Sequence, residues 1–245
     1  WINELRLSGF DNKQGFAALL RGRLNLADVG DITVSGQYST PGFGSIEQSV
    51  TQRSMETKYN LDVAANLDGG KVFFPEKWRI RIPLHYDYSL GVSTPEYNPL
   101  NPDVKLKDDL ATYDTQAERD SIRHLTNTFV QRQNVNLMNV RKERNLEKGS
   151  LKMHPWDIEN FDLSYSYSEL IQRDPDLEMD NEFIHDGEIG YTFSTNPKNY
   201  RPFNKVKWMR SKWLALIRDF NITPMPKNVT IRTSLRRELQ EFKYR

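Results

Sequence analysis

The stretch Trp78-Arg79-Ile80-Arg81-Ile82-Pro83-Leu84-His85-Tyr86-Asp87-Tyr88-Ser89-Leu90 decides the fold class. Its even positions are all apolar or aromatic, and its odd positions are polar, charged or proline. Side chains alternate between the two faces of a strand, so the pattern predicts a ribbon with one apolar and one polar side. The ribbon is longer than the usual globular strand of about 5–6 residues and exceeds the roughly 9–11 residues of a membrane strand.

Similar ribbons fill much of the remaining chain, and no β-α-β rhythm of the kind that marks parallel sheets separates them. The pattern predicts a mainly β fold of about nine strands in a long antiparallel meander, with one or two helices in the long connections. In the strand from Gln131 to Val140 the apolar residues change phase, because Val135 and Leu137 fall on one face while Met138 and Val140 fall on the other. The other predicted strands cover Asn3 to Ser8, Phe16 to Leu26, Asp31 to Tyr38, Tyr59 to Leu67, Phe161 to Ser168, Glu182 to Phe193 and a last strand that begins at Val229.

Three connections are long. The loop from Ser39 to Glu56 is rich in turn residues, and the connection from Gly91 to Val130 begins with prolines and continues as a polar helix from Lys107 to Asn127. Residues 205–221 are predicted to form an amphipathic helix, which we expect to pack its apolar stripe onto the mouth or lumen of a barrel rather than to lie on a membrane. Tight turns at one end and long loops at the other are typical of outer-membrane barrels.

Composition narrows the class of protein. Of 245 residues, 37% are hydrophobic and 27% are charged, with a mean hydropathy of −0.72. No apolar run approaches the roughly 18–20 residues of a membrane helix, whereas half of each strand in a membrane barrel can be polar. The net charge of +1 gives no electrostatic indication of nucleic-acid binding, and the absence of cysteine excludes disulfides. Trp1 is not followed by a signal-peptide pattern, and we expect residues 1–245 to be a single piece of a longer wall.

No motif of an enzyme is present. The sequence lacks a P-loop, a GxSxG nucleophile elbow and an HExxH zinc motif, so we expect no catalytic residue, no cofactor and no metal site. The acidic run from Asp174 to Glu182 has Met179 where an EF-hand needs glycine, which favours a solvated acidic turn over a calcium loop.

Three segments resemble the SprA/Sov family, the giant outer-membrane translocon of the type 9 secretion system. They are Gly36-Gln37-Tyr38-Ser39-Thr40-Pro41-Gly42-Phe43-Gly44-Ser45-Ile46-Glu47-Gln48, Tyr97-Asn98-Pro99-Leu100-Asn101-Pro102-Asp103-Val104 and Val229-Thr230-Ile231-Arg232-Thr233-Ser234-Leu235-Arg236-Arg237. The resemblance implies a very large transmembrane β-barrel in the bacterial outer membrane that exports folded cargo proteins and serves secretion and gliding motility. It also implies four kinds of partner: the lipid bilayer, secreted cargo, a barrel shuttle of the PorV type and a periplasmic plug protein.

With about nine strands, the chain is expected to be an internal segment of such a barrel wall. Polarity alone assigns its two faces. The pore-lining candidates are Arg21, Arg23, Arg79, Arg81, His85, Asp87, Asp162, Ser164, Ser166 and Glu188. The lipid-facing candidates are Trp78, Ile80, Ile82, Leu84, Tyr86, Tyr88, Leu163, Tyr165 and Tyr167.

Two alternatives remain open on the sequence. A smaller outer-membrane barrel for uptake or adhesion would have the same ribbons in an even-stranded, complete barrel. A soluble β-sandwich that binds protein or glycan would use its aromatic residues as a core rather than as membrane girdles. Neither the cargo nor the gating mechanism follows from the residues.

Overall fold

The computed structural model describes residues 14–45, 47–49, 52–144, 154–195, 200, 220–223 and 225–245. The predicted strand from Asn3 to Ser8 lies outside this described part. The predicted amphipathic helix of residues 205–221 also lies outside it, apart from its last two positions.

The described chain is mainly β, as the alternating ribbons predict. Eight long strands and one short one form a single antiparallel sheet with the order β1-β2-β3-β5-β8-β9-β10-β11, and β4 pairs with one end of β8. The long strands are β1 (Ala17–Leu26), β2 (Gly30–Ser39), β3 (Glu56–Asp68), β5 (Pro83–Pro95), β8 (Thr128–Lys142), β9 (Phe161–Arg173), β10 (Leu177–Ser194) and β11 (Asn228–Tyr244). The short ones are β4 (Ile80–Arg81), β6 (Tyr97–Asn98) and β7 (Asn101–Lys105), of which the last two form a separate hairpin.

Within the described residues the sheet is open. β1 and β11 are its two outer strands, and they do not pair with each other to close a barrel. The sheet is also one layer thick over this part of the chain. Ala65 and Leu106 are the only described hydrophobic residues that are buried.

The prediction of one unbroken strand from Trp78 to Leu90 is wrong. Glu76–Trp78 form a 3₁₀ turn, Arg79 has a left-handed backbone (φ 51°), and β4 is separated from the start of β5. Proline has no N–H for the ladder and is tolerated as the first residue of a strand, which explains why β5 begins at Pro83. The Asp68 side chain holds the bend by accepting hydrogen bonds from the backbone N–H groups of Gly70 (3.1 Å) and Ile82 (3.5 Å).

The connection between β5 and β8 carries two helices rather than the single predicted one. They are α2 (Leu106–Ala111) and α3 (Gln116–Thr126), and another short helix, α1 (Gly69–Phe73), precedes β4. A new helix, α3, begins after Thr115, which is its N-cap. The Thr115 hydroxyl accepts a hydrogen bond from the backbone N–H of Glu118, and the Glu118 carboxylate accepts one from the backbone N–H of Thr115. No helix in the described part is long and apolar enough to cross a membrane.

The distribution of turns also differs from the prediction. The tight turn that links β1 to β2 lies at one end of the sheet, and the tight turn that links β9 to β10 lies at the other. Each end therefore combines a tight turn with long connections. The expected arrangement, with tight turns at one end and long loops at the other, is therefore not found in the described sheet.

Gly30, at the start of β2, provides a test of the turn geometry. Its φ is +154°, and a Cβ there would lie 1.9 Å from the backbone oxygen of Asn66. We expect Gly30→Ala to lower the free energy of unfolding by about 1–3 kcal/mol, because backbone strain adds to the clash. Gly36→Ala in the same strand is the control, since nothing lies within 4 Å of the position that a Cβ would take there. Equal denaturant midpoints for the two variants would contradict the described turn.

Candidate functional site

The candidate site is the pair of faces that the sheet presents. Residues directly opposite each other on antiparallel neighbours point to the same side, so the pairing register shows which side chains share a face. One row of partners runs from Arg23 through Thr33, Ala64 and Asp87 to Asn134 and Ser168. A second runs from Asn66 through His85, Asn136, Ser166 and Asp186 to Arg236. We call the side that carries these rows the polar face.

Side chains on the polar face bond to one another across the strands. The Asp62 carboxylate accepts hydrogen bonds from the hydroxyls of Ser35 (3.3 Å) and Ser89 (2.8 Å) on the two neighbouring strands. The His85 ring lies between the Asn66 side-chain oxygen (2.5 Å from Nδ1) and the Asp87 carboxylate (2.6 Å from Nε2). The polar face is therefore internally hydrogen-bonded and contains both signs of charge.

The same pattern continues at the far edge of the sheet. A guanidinium nitrogen of Arg232 lies 3.4 Å from Glu188, and one of Arg236 lies 3.9 Å from Asp186. These arginines were not among the predicted pore-lining residues. The alternation of Val229, Ile231 and Leu235 with Arg232 and Arg236 was the sequence signal that could have found them.

Eight of the ten predicted pore-lining residues share the polar face: Arg21, Arg23, His85, Asp87, Asp162, Ser164, Ser166 and Glu188. Arg79 and Arg81 do not lie on these long strands. Arg79 is the left-handed residue of the bend, and its guanidinium donates to the backbone oxygen of Arg144 (3.3 Å). Arg81 lies in β4, with its guanidinium 3.6 Å from the Glu143 carboxylate.

The opposite side, which we call the apolar face, contains six of the nine predicted lipid-facing residues: Leu84, Tyr86, Tyr88, Leu163, Tyr165 and Tyr167. Trp78 belongs to the 3₁₀ turn and Ile80 to β4, while Ile82 lies between β4 and β5. These three were placed on the continuous strand that the bend interrupts.

Within the part of the chain that the structure describes, no second layer covers the apolar face. Leu20 is 76% exposed and Leu235 is 77% exposed, at opposite edges of the sheet. The chain exposes 18854 Å², whereas a compact monomer of 28.7 kDa exposes about 11,000 Å². The sheet therefore has two large faces and little core between them.

Several polar residues on the apolar face were missed or assigned without comment from the sequence. They include Gln131, Gln133, Glu169, Asn181, His185, Arg237 and Glu241, which lie on β8 to β11. Two of them bond to neighbouring tyrosines, since the Tyr165 hydroxyl lies 2.9 Å from Nδ1 of His185 and the Tyr167 hydroxyl donates to Glu169 (2.7 Å). We call these seven residues the polar patch.

The described residues contain no group of three histidine, aspartate or glutamate side chains arranged to hold a metal ion. A cavity of about 740 Å³ lies where α2 and α3 meet the ends of β3 and β5, and its walls include Thr57, Thr94, Leu106 and Arg119. Arg119 is already engaged, because its guanidinium donates twice to the backbone oxygen of Tyr113 (2.8 and 2.9 Å). Nothing in this cavity resembles a catalytic arrangement.

Residues 1–110 match the family model SprA_N, described as a motility related/secretion protein. The match supports a relationship to the SprA family and a role in secretion or motility. It covers β1 to β7 and the first two of the three segments that carry the resemblance. A comparison with curated proteins gave no match.

The docking of α3 at the end of the sheet predicts a pH dependence. The Arg245 guanidinium donates to the backbone oxygens of Leu125 (2.7 Å) and His124 (3.0 Å), at the negative end of the helix dipole. Burial lowers the pKa of His124, and the positive charges of Arg173 and Arg245 lower it further. A lowered folded-state pKa means that the undocked state binds the proton more readily below about pH 6.5, so docking weakens as the pH falls.

The measurement uses an environment-sensitive label on Ile122→Cys, a half-buried position of α3, since the sequence has no other cysteine. We expect acidification below about pH 6.5 to expose the label. His124→Asn in the same labelled background is expected to remove this pH dependence. An unchanged titration in the His124→Asn variant would contradict the role assigned to this histidine.

Proposed function

We propose that this chain is a wall segment of an outer-membrane protein-conducting channel that exports folded cargo by type 9 secretion. The observation that carries the proposal is a long-stranded, single-layer sheet with one exposed apolar face and one exposed polar face. The match of residues 1–110 to a motility related/secretion family supports the same class of function. Localisation in the bacterial outer membrane is part of the proposal.

The apolar face needs an apolar neighbour. Leaving a large aliphatic side chain in water rather than burying it costs about 1.5–3 kcal/mol. Exposed large hydrophobic side chains lie on the apolar face of six of the eight long strands, β1, β2, β3, β9, β10 and β11. An exposed apolar patch larger than a few hundred Å² marks a binding or membrane surface. Strands of 10 to 18 residues are long enough to cross the hydrocarbon of a bilayer, which needs about 9–11.

The polar face suits a water-filled lumen through which proteins pass. Its charges are mixed and lie opposite partners of the other sign or hydrogen-bonding groups, as for Asp62, His85 and Glu188. Such a surface is hydrated, yet it presents no strong field of one sign to a passing polypeptide. The polar face would form the inner side of the channel wall.

The partners proposed for the whole channel are lipid, secreted cargo, a barrel shuttle of the PorV type and a periplasmic plug protein. Lipid would contact the apolar face, and cargo would pass the polar face. The connection between β5 and β8, with its hairpin and two helices, extends beyond one end of the sheet and offers a surface for the shuttle or the plug. Nucleic acid is not proposed as a partner, because the net charge is +1.

The two alternatives predict different neighbours for the same faces. A soluble sandwich needs a second layer over the apolar face, and the described residues supply a single layer. A smaller barrel for uptake or adhesion shares the lipid contact but would pass no folded cargo. Membrane partition separates the first alternative from the proposal, and cargo cross-linking separates the second.

A pair of adjacent residues on β3 tests the assignment of the two faces. Val63 pairs with Val34 and Tyr88 on the apolar face, and Ala64 pairs with Thr33 and Asp87 on the polar face. We expect Val63→Arg to cost about 2–4 kcal/mol in the unfolding free energy in lipid vesicles, since a charge would enter hydrocarbon. Ala64→Arg is expected to cost little. Equal losses, measured by denaturant titration of the full-length protein, would contradict the assignment.

Cargo passage is tested by placing a photo-cross-linking amino acid on each face of β5 in secreting cells. At Asp87 we expect adducts with secreted proteins, and at the adjacent Tyr86 we expect adducts with lipid or membrane proteins instead. Cross-linking of secreted proteins from neither position would overturn the channel function. Recovery of a detergent-free, monodisperse protein from the cells would overturn the membrane location.

A further inference from the structure

Three consecutive rows at one end of the apolar face change in character on β1, β2, β3 and β5. The aliphatic row joins Leu20, Gly36, Leu61 and Leu90. The tyrosine row, two residues further along each strand, joins Ala18, Tyr38, Tyr59 and Val92. The threonine row pairs Thr57 with Thr94. Because one row is two residues of about 3.4 Å, the face passes from aliphatic groups through aromatic rings to hydroxyls within about 14 Å.

A groove of about 550 Å³ lies over the aliphatic and tyrosine rows. Gly36 forms part of its floor, since no described atom lies within 4 Å of the position that a Cβ would take there. Leu20 and Leu61 stand on either side of Gly36 in the same row, and both are exposed. The missing side chain therefore leaves an open trough between two leucines, with room for an apolar chain.

The cavity of about 740 Å³ at α2 and α3 begins where this groove ends. Thr57 and Thr94, the next row of the same face, line it on the side of the sheet. The charged side chains among the described residues that line it are Lys105, Lys107, Arg119, Arg123 and Glu96. Lys105 neutralises Glu96, because its ammonium lies 3.1 Å from the carboxylate. The described lining therefore has an excess of positive charge.

The guanidinium of Arg119 is held in place without losing its charge. Its Nε and one terminal nitrogen donate to the backbone oxygen of Tyr113, at 2.9 and 2.8 Å, and this oxygen carries no formal charge. The other terminal nitrogen is not used in these two bonds. Arg123 lies 2.9 Å from the Asp120 carboxylate, but both side chains are exposed, so water screens this pair. An anion in the cavity would therefore meet cations that are not fully neutralised by the protein.

We propose that the groove and the cavity together bind one lipid with an anionic phosphate headgroup. An acyl chain lies over Gly36, and Lys107, Arg119 and Arg123 bind the phosphate. The proposal rests on the proposed membrane function and names a ligand for one place on the wall. Arginine and lysine are the side chains with which proteins bind phosphate. Aliphatic groups, tyrosines and cations follow one another here in the order in which a bilayer presents acyl chains, interface and phosphates.

The combination of the two spaces favours a lipid over other anions. A free anion would use the cavity alone, and the apolar groove would contribute nothing to its binding. An acidic protein segment would leave its backbone polar groups without partners in a groove of aliphatic side chains. Ordinary contact with a bilayer needs only a flat apolar wall, whereas Gly36 leaves a recess beside the cations. Basic pockets at membrane surfaces are known to bind anionic headgroups.

Photolabelling tests the site in the full-length protein. The vesicles consist of a neutral galactolipid, which has no phosphate, and contain a trace of phosphatidylglycerol with a photoreactive acyl chain. We expect adducts on the peptides that carry Gly36 and Leu61. An excess of unlabelled phosphatidylglycerol is expected to reduce these adducts severalfold, and the same excess of diacylglycerol with identical chains is expected to leave them unchanged. Adducts at Leu163 and Leu235 report ordinary lipid contact, and we expect neither competitor to change them.

Two pairs of variants separate the groove from the cavity. Gly36→Leu fills the groove and is expected to reduce the adducts at Leu61 severalfold. Its control is Gly22→Leu on β1, where the same leucine also enters open space but lies outside the groove. Lys107→Gln is expected to raise severalfold the concentration of phosphatidylglycerol needed for half competition. Its control is Lys77→Gln, which removes the same charge at the other end of the sheet.

The remaining outcomes decide against the site in different ways. Adducts spread evenly over the apolar face, without competition, would overturn the site and leave the membrane location intact. Labelling of the face everywhere except at Gly36 and Leu61 would overturn the site as well, because protein would then cover the groove. Displacement by inorganic phosphate would overturn a lipid as the ligand. No adduct anywhere on the apolar face would overturn the membrane function itself.

Discussion

The register of the antiparallel ladder is the constraint on which the two faces depend. A slip of one residue would exchange the faces of a whole strand, so the ladder must hold its phase across eight strands. β8 is the place where the sequence loses that phase. Two residues, Met138 and Asn139, oppose only Ser164 on β9, and the extra residue is absorbed by Asn139 in a left-handed conformation (φ 58°). This bulge returns Val140 to the apolar face, opposite Leu163.

The sequence therefore predicts the ribbons well and their junctions poorly. Period-two alternation is a local signal, and every long described strand carries it. The residue at which β5 starts is not determined by the local sequence alone, because it depends on the Asp68 side chain accepting a hydrogen bond across the bend from the N–H of Ile82. Local alternation also fails to predict the faces of β8, because it places Val140 and Leu137 on opposite faces. Only the pairing with β9 shows that the two residues share a face.

The same distinction explains the candidate site. Polarity assigned most of the residues to their faces, because strand geometry converts odd and even positions directly into two sides. It did not find the polar patch, since His185 lies among Phe183, Gly187 and Ile189 on a strand that reads as apolar on that side.

The channel wall that we propose would have to be hydrated without being adhesive, and the pairing of groups on the polar face suits both conditions. An isolated charge attracts any complementary segment that passes, whereas a charge with a neighbour of opposite sign offers less to a passing chain. Here Asp62 has two serine donors, and Glu188 has Arg232 as its counter-charge. These contacts are exposed and contribute little to folding. In the proposed wall, their role would be to satisfy the hydrogen-bonding groups of the polar face, while the ladder and the proposed lipid contact would provide the stability.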